Sequence, residues 1–228
     1  HVRGKFVFNV LSKITANLVI CESPLDVLSL LRLKQKNKLT KTFYDCTTPI
    51  PDELYYGNLI TQNQFKKLLK YENIIYKSVD YLSFHWESYA DYVLKKYYKG
   101  DNIIKFNAGV YKHKSTVKYN NPLKIVYIGY LGGYWSNLPL LSRLSKLYPI
   151  DVYGAPKPDK KYGLNYRGYS STEVLLKYQI GLITISKDPL RSAGFSAKHP
   201  EYLSWGLPTF VPDWRKSAIK LKGTIAYN

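Results

Sequence analysis

Short apolar runs and amphipathic segments alternate along this chain, and the alternation predicts strands and helices in turn. In the first half, apolar runs predict strands at 17–21, 41–45, 81–85 and 102–106. Apolar residues that recur every three or four positions predict helices at 5–13, 26–36, 64–79 and 88–98. A strand followed by a helix, repeated along the chain, is typical of an α/β fold with a parallel sheet.

The second half repeats this order after a polar, lysine-rich segment at 112–122 that is typical of a linker. Strands are predicted at 124–128, 150–153, 181–185 and 209–211, and helices at 137–146, 171–178 and 197–205. We therefore predict two Rossmann-like units, one over residues 1–118 and one over residues 119–228.

The segment 195–212 contains the most informative combination of charge and local structure. Lys198 and Glu201 are three residues apart, so on a helix both side chains lie on one face. Gly206 is expected to end that helix, and Pro208 precedes the apolar run of the next strand. A cation and a carboxylate near the start of a helix suit a ligand with phosphate groups and ribose hydroxyls.

This segment resembles the donor motif K-x-x-E-Y-x-A-x-G-x-P-V-V of GT-B nucleotide-sugar glycosyltransferases, particularly retaining family 4 and its relatives. The resemblance implies two Rossmann-like domains that face a cleft. It also implies that Lys198 contacts the donor diphosphate, with Arg191 near it, and that Glu201 holds the ribose hydroxyls. Here Ala193 stands where many members have an earlier glutamate, followed by Gly194, Phe195 and Ser196 as further donor-binding candidates.

The loop after the strand at 124–128 is a second donor-binding candidate. Gly129, Gly132 and Gly133 lie between that strand and a helix, but without the spacing G-x-G-x-x-G of dinucleotide-binding proteins. The glycines either permit a tight turn or let backbone amides approach the donor. Trp135 either covers the same pocket or packs in the core.

Candidate catalytic residues in the first half follow from where strands end. Asp45, His85 and Glu87 stand at or just after predicted strand ends, where parallel sheets place functional groups. His85 is a candidate for contact with the donor sugar or acceptor, and Glu87 is either a base or part of the following helix end. Asp45 begins a loop that we assign to the acceptor side.

Charge and composition narrow the classes of ligand and the cellular locations that the sequence favours. The 228 residues include 34 Lys+Arg and 16 Asp+Glu, for a net charge of +18, which favours phosphorylated ligands, nucleic acid or anionic membranes. No apolar run approaches the ~20 residues of a membrane span. Cys21 and Cys46 are far apart in sequence and are expected to be free thiols in a reducing compartment. We therefore expect a cytoplasmic location. A peripheral position at the inner face of the membrane is a further option.

The resulting functional hypothesis is a hexosyltransferase that moves a sugar from a nucleoside-diphosphate sugar to an acceptor hydroxyl. The resemblance favours retention of configuration, and inversion stays open because the earlier glutamate is absent and no base is assigned. The acceptor is expected to be a carbohydrate, a lipid-linked molecule or a protein. We expect no cofactor and no metal, because no D-x-D triplet is present to hold one. A basic nucleic-acid-binding protein and an inactive GT-B-like scaffold are the alternatives.

Relative to the family pattern, the sequence lacks an opening strand with its glycine-rich loop, and it lacks helices at the end. We therefore expect a minimal enzyme or a fragment truncated at both ends.

Overall fold

The chain folds into two compact units, residues 1–108 and residues 109–228. The computed structural model describes residues 2–13, 15–34, 41–107, 109–114, 117 and 121–228. Unit 1 ends ten residues before the predicted boundary after residue 118, and the backbone around His113 packs within unit 2. There His113 donates its backbone N–H to the Ser204 carbonyl, and its ring stacks on Trp205 at 3.5 Å.

Unit 1 consists of five helices and four strands in its described residues. The helices are α1 (Val2–Leu11), α2 (Pro24–Lys34), α3 (Ile50–Tyr56), α4 (Gln62–Ser78) and α5 (Glu87–Lys96). The strands are β1 (Leu18–Cys21), β2 (Lys41–Cys46), β3 (Tyr81–Phe84) and β4 (Ile103–Lys105). All neighbouring strands are parallel and follow the order β1-β2-β3-β4. The predicted parallel sheet of this unit is confirmed.

Helix α4 shows how local sequence sets an element boundary in unit 1. Its N-cap Thr61 accepts a hydrogen bond from the Gln64 backbone, and the Gln64 side chain accepts one from the Thr61 backbone. This capping box satisfies two N–H groups that the first helical turn leaves unpaired. The helix therefore begins two residues before the predicted position. Its apolar face places Ile75 and Tyr76 in the core.

Unit 2 contains a six-stranded parallel sheet in the order β10-β9-β8-β5-β6-β7. The strands are β5 (Ile125–Ile128), β6 (Ile150–Tyr153), β7 (Asn165–Gly168), β8 (Ile180–Leu182), β9 (Thr209–Pro212) and β10 (Thr224–Tyr227). The α-helices are α6 (Leu138–Ser145), α7 (Pro189–Ala193), α8 (Lys198–Ser204) and α9 (Lys216–Ile219). The central strands are apolar on both faces, because helices cover both sides of the sheet.

Two apolar clusters hold the sheet of unit 2 between its helices. On one face Val126 and Ile128 pack with Tyr202 and Trp205 of the α8 region. On the other face Tyr127 and Val152 belong to the cluster that includes Leu141 of α6. This alternation along β5 follows from the two-residue period of a strand, and it fixes which side chains can reach each side of the sheet.

Several elements differ from the sequence-based expectations for recognisable reasons. The segment predicted as a helix at 171–178 forms a 3-10 helix, Thr172–Lys177, which is a tighter and shorter arrangement. Helices α3 and α7 were not predicted, because each is short and has a proline in its first two positions that also signals a turn. Gly206 has φ +79° after α8, which confirms the predicted helix end.

Candidate functional site

Three segments meet at the carboxyl edge of the unit 2 sheet. These are the loop after β5, the segment after β8, and the chain from α7 into α8. Thr184 donates a hydrogen bond to the Ser136 carbonyl at 2.8 Å, and Ser186 donates one to the Tyr134 carbonyl at 2.6 Å. The loops after β5 and β8 are thereby tied to each other. Ligands of parallel α/β proteins bind at this edge.

Gly129, immediately after β5, leaves room for the side chain of Lys198. A Cβ at position 129 would lie 2.1 Å from Lys198 Cε, and the backbone there has φ +148°. A Cβ on the neighbouring Gly154 would lie 1.7 Å from the Gly129 carbonyl oxygen. Both positions therefore require glycine, the first for the lysine and the second for the close approach of two loops.

Gly132 and Gly133 continue the same loop towards a short 3-10 turn, Tyr134–Ser136. A Cβ on Gly132 would lie 2.7 Å from the Tyr130 hydroxyl, and one on Gly133 would lie 2.3 Å from the Trp135 ring. The loop is thus crowded by its own aromatic side chains. The sequence left two interpretations for these glycines, a tight turn or a close approach of the backbone to the donor. The contacts of Gly132 and Gly133 within the loop agree with the tight turn, whereas Gly129 leaves room for the side chain of Lys198.

Lys198 is a half-buried residue whose ammonium group lies over an aromatic ring. Its Nζ atom is 5.1 Å from the centroid of the Tyr127 ring. The pKa of Lys198 is lowered from 10.5 to about 8, mainly by burial and then by the charges of Arg191 and Arg215. Within the described residues, no carboxylate is among the groups that shift this pKa. Burial and two neighbouring cations therefore both disfavour the charged form of Lys198.

Two arginines complete this group, which we call the cation cluster: Lys198, Arg191 and Arg215. The Arg191 guanidinium carbon lies 5.2 Å from the centroid of the Trp135 ring. Arg215 is 1% exposed, and its Nη2 donates a hydrogen bond to the Gly194 carbonyl at 2.6 Å. Arg191 and Arg215 are close enough to Lys198 to disfavour its protonation, so the three cations create a positive field there. Such a field suits a multiply charged anion such as a diphosphate.

Gly194, Phe195 and Ser196 form the connection between α7 and α8. The Phe195 ring stacks on His199 with 5.3 Å between centroids and 5° between planes. The Ser196 carbonyl accepts the His199 backbone N–H at 2.9 Å. These contacts position the chain that enters α8, so the role of Gly194 and Phe195 in this structure is to orient the residues beside Lys198.

Glu201 lies one turn after Lys198, and its carboxylate is held by a different set of groups. Its Oε1 accepts a hydrogen bond from the Trp205 indole at 3.1 Å, and His113 Nε2 lies 4.0 Å from the same oxygen. Since the Trp205 bond uses Oε1, the lone pairs of Oε2 remain for a hydroxyl donor. The carboxylate is oriented and partly exposed, as a ribose-binding acceptor needs to be.

In unit 1, the structure brings Asp45 and His85 together at the carboxyl ends of β2 and β3. Asp45 Oδ1 accepts a hydrogen bond from Ser83 at 2.7 Å, and its Oδ2 lies 3.5 Å from His85 Nε2. A carboxylate beside an imidazole can orient it as a proton acceptor. Glu87 is exposed in the first turn of α5, and its backbone N–H bonds to the Asn107 side chain at 3.2 Å.

The sequence reasoning missed the residues that complete the cation cluster and orient Glu201. Arg215 follows strand β9 within a polar turn, where a single arginine carries no periodic signal. Trp205 was recognised as the end of a helix, but its indole bond to Glu201 depends on the i, i+4 geometry of that helix. Tyr127 was assigned to a buried strand, and its contact with Lys198 depends on chain segments far apart in sequence.

The described residues contain no group of three or more His, Cys, Asp or Glu side chains arranged to hold a metal ion. In the same part of the chain, no helix is both long enough and apolar enough to cross a membrane. Both cysteines are free and buried.

Neither a protein-family model nor a curated protein sequence matches this chain. Solved structures do match its fold. Sucrose-phosphate synthase from Thermosynechococcus elongatus superimposes with a TM-score of 0.69 at 13% identity, over 92% of this chain and 60% of that protein. A TarM variant from S. aureus, in complex with UDP and fondaparinux, matches with a TM-score of 0.70 at 13% identity, over 90% of this chain and 44% of that protein.

HepE from Anabaena, in complex with UDP-glucose, matches with a TM-score of 0.70 at 9% identity, over 98% of this chain and 68% of that protein. The chain thus spans 44% to 68% of the length of these three structures. The comparison confirms the predicted fold class, with two Rossmann-like parallel-sheet units of the GT-B type.

Proposed function

We propose that the chain is a nucleotide-sugar-dependent glycosyltransferase, whose donor diphosphate binds at the cation cluster. The single observation that carries this proposal is that Lys198 lies beside Gly129 at the carboxyl edge of the unit 2 sheet, with Arg191 and Arg215 close enough to shift its pKa. The similar structures support it, since HepE is described with UDP-glucose and TarM with UDP.

The chemistry follows from where charge develops. When the bond between the sugar and the diphosphate breaks, negative charge accumulates on the leaving phosphate oxygens. Cations fixed beside that position stabilise the transition state more than the bound donor. Lys198 and Arg191 supply this charge, and Arg215 holds the Gly194 carbonyl so that the neighbouring chain keeps its position. The three cations provide the positive charge that a metal ion provides in other transferases, so we propose a metal-independent reaction.

Glu201 is proposed to accept hydrogen bonds from the ribose hydroxyls through its second carboxylate oxygen. Asp45 and His85 are proposed to act on the acceptor hydroxyl, with the imidazole as proton acceptor and the carboxylate as its orienting group. We further propose transfer of a hexose with retention of configuration, following the resemblance to family 4. The stereochemistry is read directly by NMR of the anomeric proton in the first product formed.

Two measurements test the proposal in sequence. First, UDP, GDP and ADP are compared for thermal stabilisation, because a ligand at a hundred times its dissociation constant adds about 2.7 kcal/mol to stability. Second, donor hydrolysis and donor affinity are measured for the parent and for Lys198→Ala. Turnover should fall more than affinity, since Lys198 acts on charge that develops in the transition state.

Lys220→Ala is the matched control, because Lys220 is an exposed lysine that directly follows α9. The parent and this control should behave alike. No stabilisation by any of the three nucleotides would overturn the proposal. Turnover and affinity that stay within twofold of the parent in Lys198→Ala would remove Lys198 from the reaction.

A further inference from the structure

A cavity lined by both polar and apolar side chains lies in unit 2, at the opposite edge of the sheet from the cation cluster. It has a volume of about 490 Å³, within the range of ~300 to 1,000 Å³ typical of small-molecule sites. Lys124 precedes β5, Asp151 is the second residue of β6, and Asn165 opens β7, so the cavity lies at the amino ends of these strands. The cation cluster lies beyond their carboxyl ends, roughly 13 Å of strand away.

The cavity is organised around the carboxylate of Asp151. Its Oδ1 accepts hydrogen bonds from the Asn165 amide at 2.5 Å and from Arg167 Nε at 2.9 Å. Its Oδ2 accepts one from the Tyr178 hydroxyl at 2.7 Å. Because the only Tyr178 proton goes to Asp151, the Tyr153 hydroxyl, 2.9 Å away, must donate to the Tyr178 oxygen. The network therefore fixes the direction of each of these hydrogen bonds.

This network leaves both donors and acceptors for a ligand. Asp151 uses only Nε of Arg167, so the Nη1 and Nη2 groups at the far side of the guanidinium can form a bidentate contact. The Tyr153 oxygen and the Asn165 carbonyl oxygen keep lone pairs that can accept hydrogen bonds from hydroxyl groups. Proline and leucine side chains line the same cavity and offer an apolar wall, namely Pro122, Leu123 and Pro149.

The charge along the cavity is positive. Lys124, Arg167 and Lys177 contribute three cations and Asp151 one carboxylate, which gives 3 − 1 = +2. Asp151 is itself engaged by three donors, so it orients the polar groups around it. Lys124 and Lys177 are both exposed at the opening. This arrangement attracts an anion, while the paired donors, acceptors and apolar wall suit a hydroxylated ring better than a bare phosphate ion.

We propose that this cavity binds an anionic saccharide, a sugar unit that carries a phosphate or carboxylate group. The anionic group is bound by the free edge of Arg167 with Lys177 beside it. The sugar hydroxyls are bound by Tyr153 and Asn165, and the apolar C–H face of the ring lies against the proline wall. The site is separate from the nucleotide site, and its occupation does not require transfer activity.

Calorimetry with the parent protein tests this assignment, with saturating UDP present so that the nucleotide site is occupied. The probes are glucose 6-phosphate, glucuronate, glucose and inorganic phosphate. We expect one or both anionic sugars to bind, and glucose and phosphate to bind at least about tenfold more weakly, because each makes only part of the contacts. Arg167→Gln should weaken binding of the anionic sugar by about tenfold or more, and Lys177→Gln by a smaller factor.

Lys220→Gln is the matched control, since it removes one exposed positive charge elsewhere on unit 2. Equal losses in Lys220→Gln and Arg167→Gln would show a nonspecific charge effect and overturn the site. The proposal would also be overturned if neither anionic sugar binds, or if inorganic phosphate or glucose binds as tightly as the anionic sugars. Circular dichroism checks the fold of each variant, and Lys177→Gln decides the outcome if Arg167→Gln does not fold.

Discussion

Replacing Lys198 with methionine should stabilise the ligand-free protein while it weakens the binding of UDP. The pKa of Lys198 is lowered from 10.5 to about 8, mainly by burial and then by Arg191 and Arg215. At ~1.36 kcal/mol per pKa unit, keeping this ammonium charged costs the folded protein on the order of 3 kcal/mol. Methionine keeps most of the stem that packs over Gly129 and removes the charge, so at pH 7 Lys198→Met should gain about 1 to 3 kcal/mol.

The dependence on pH identifies the cause of this gain. The unfolded chain holds its Lys198 proton up to pH 10.5, whereas the folded protein releases it near pH 8. Between these values the unfolded state binds more protons, so the parent becomes more stable as pH rises. The advantage of Lys198→Met should therefore be complete below pH 8 and shrink towards pH 10.5. Lys220→Met, at an exposed lysine, should show neither the gain nor this dependence.

Urea unfolding followed by tryptophan fluorescence is a suitable assay, because Trp135, Trp205 and Trp214 all belong to unit 2. The midpoint should rise in Lys198→Met at an unchanged dependence on urea. In the same variant, UDP should shift the midpoint less than it does in the parent. A variant less stable than the parent at pH 7 would show that Lys198 stabilises the fold through packing, and the reasoning from its buried charge would be refuted.

Three further predictions concern other charged residues. Glu201→Ala should weaken nucleotide binding by ~1.5 to 3 kcal/mol without unfolding unit 2, and unchanged affinity by calorimetry would exclude Glu201 from the site. Burial raises the pKa of Glu72 from 4.5 to about 7, so the parent protein loses stability as the pH rises from 4.5 to 7. Glu72→Gln should therefore be more stable than the parent at pH 8 by about 2 to 3 kcal/mol. Equal urea midpoints of the two proteins at pH 8 would contradict this. Lys96 is bonded to the fully buried Asp52, so Lys96→Met should destabilise unit 1 by ~3 kcal/mol or more, and a loss below ~1 kcal/mol would show that the tyrosines at Asp52 suffice.

The pattern of apolar and polar residues predicted the fold well, because parallel α/β units repeat the same local arrangement of a strand followed by a helix. Each buried strand is an apolar run, and each crossover helix has its own amphipathic period. Short elements such as α7 and α9 escaped prediction, since four or five residues carry too little periodicity to distinguish a helical turn from a loop. The glycine and proline after α8 were informative because each has one dominant structural reason to stand there.

The candidate site was predictable only where its residues are neighbours in sequence. Lys198 and Glu201 could be proposed from their spacing on one helix. Arg215 was missed, because its contact with Gly194 joins positions 21 residues apart through the fold. Asp45 and His85 were each proposed from strand ends, but their pairing depends on the register that places Asp45 opposite Ser83. The assignment of all these residues to catalysis or donor binding stays a prediction.

The three members of the cation cluster differ in pKa, so the contribution of Lys198 to ligand binding can be separated from that of the arginines by changing the pH. Guanidinium groups keep their proton throughout the range in which proteins stay folded, so Arg191 and Arg215 provide a constant charge. Lys198, with a pKa of about 8, is about nine-tenths protonated at pH 7 and about one-tenth protonated at pH 9. If the protonated form binds the diphosphate, affinity should fall about tenfold over this interval in the parent. Lys198→Met should bind weakly at both values, so a slope that persists in this variant would have to come from a different group.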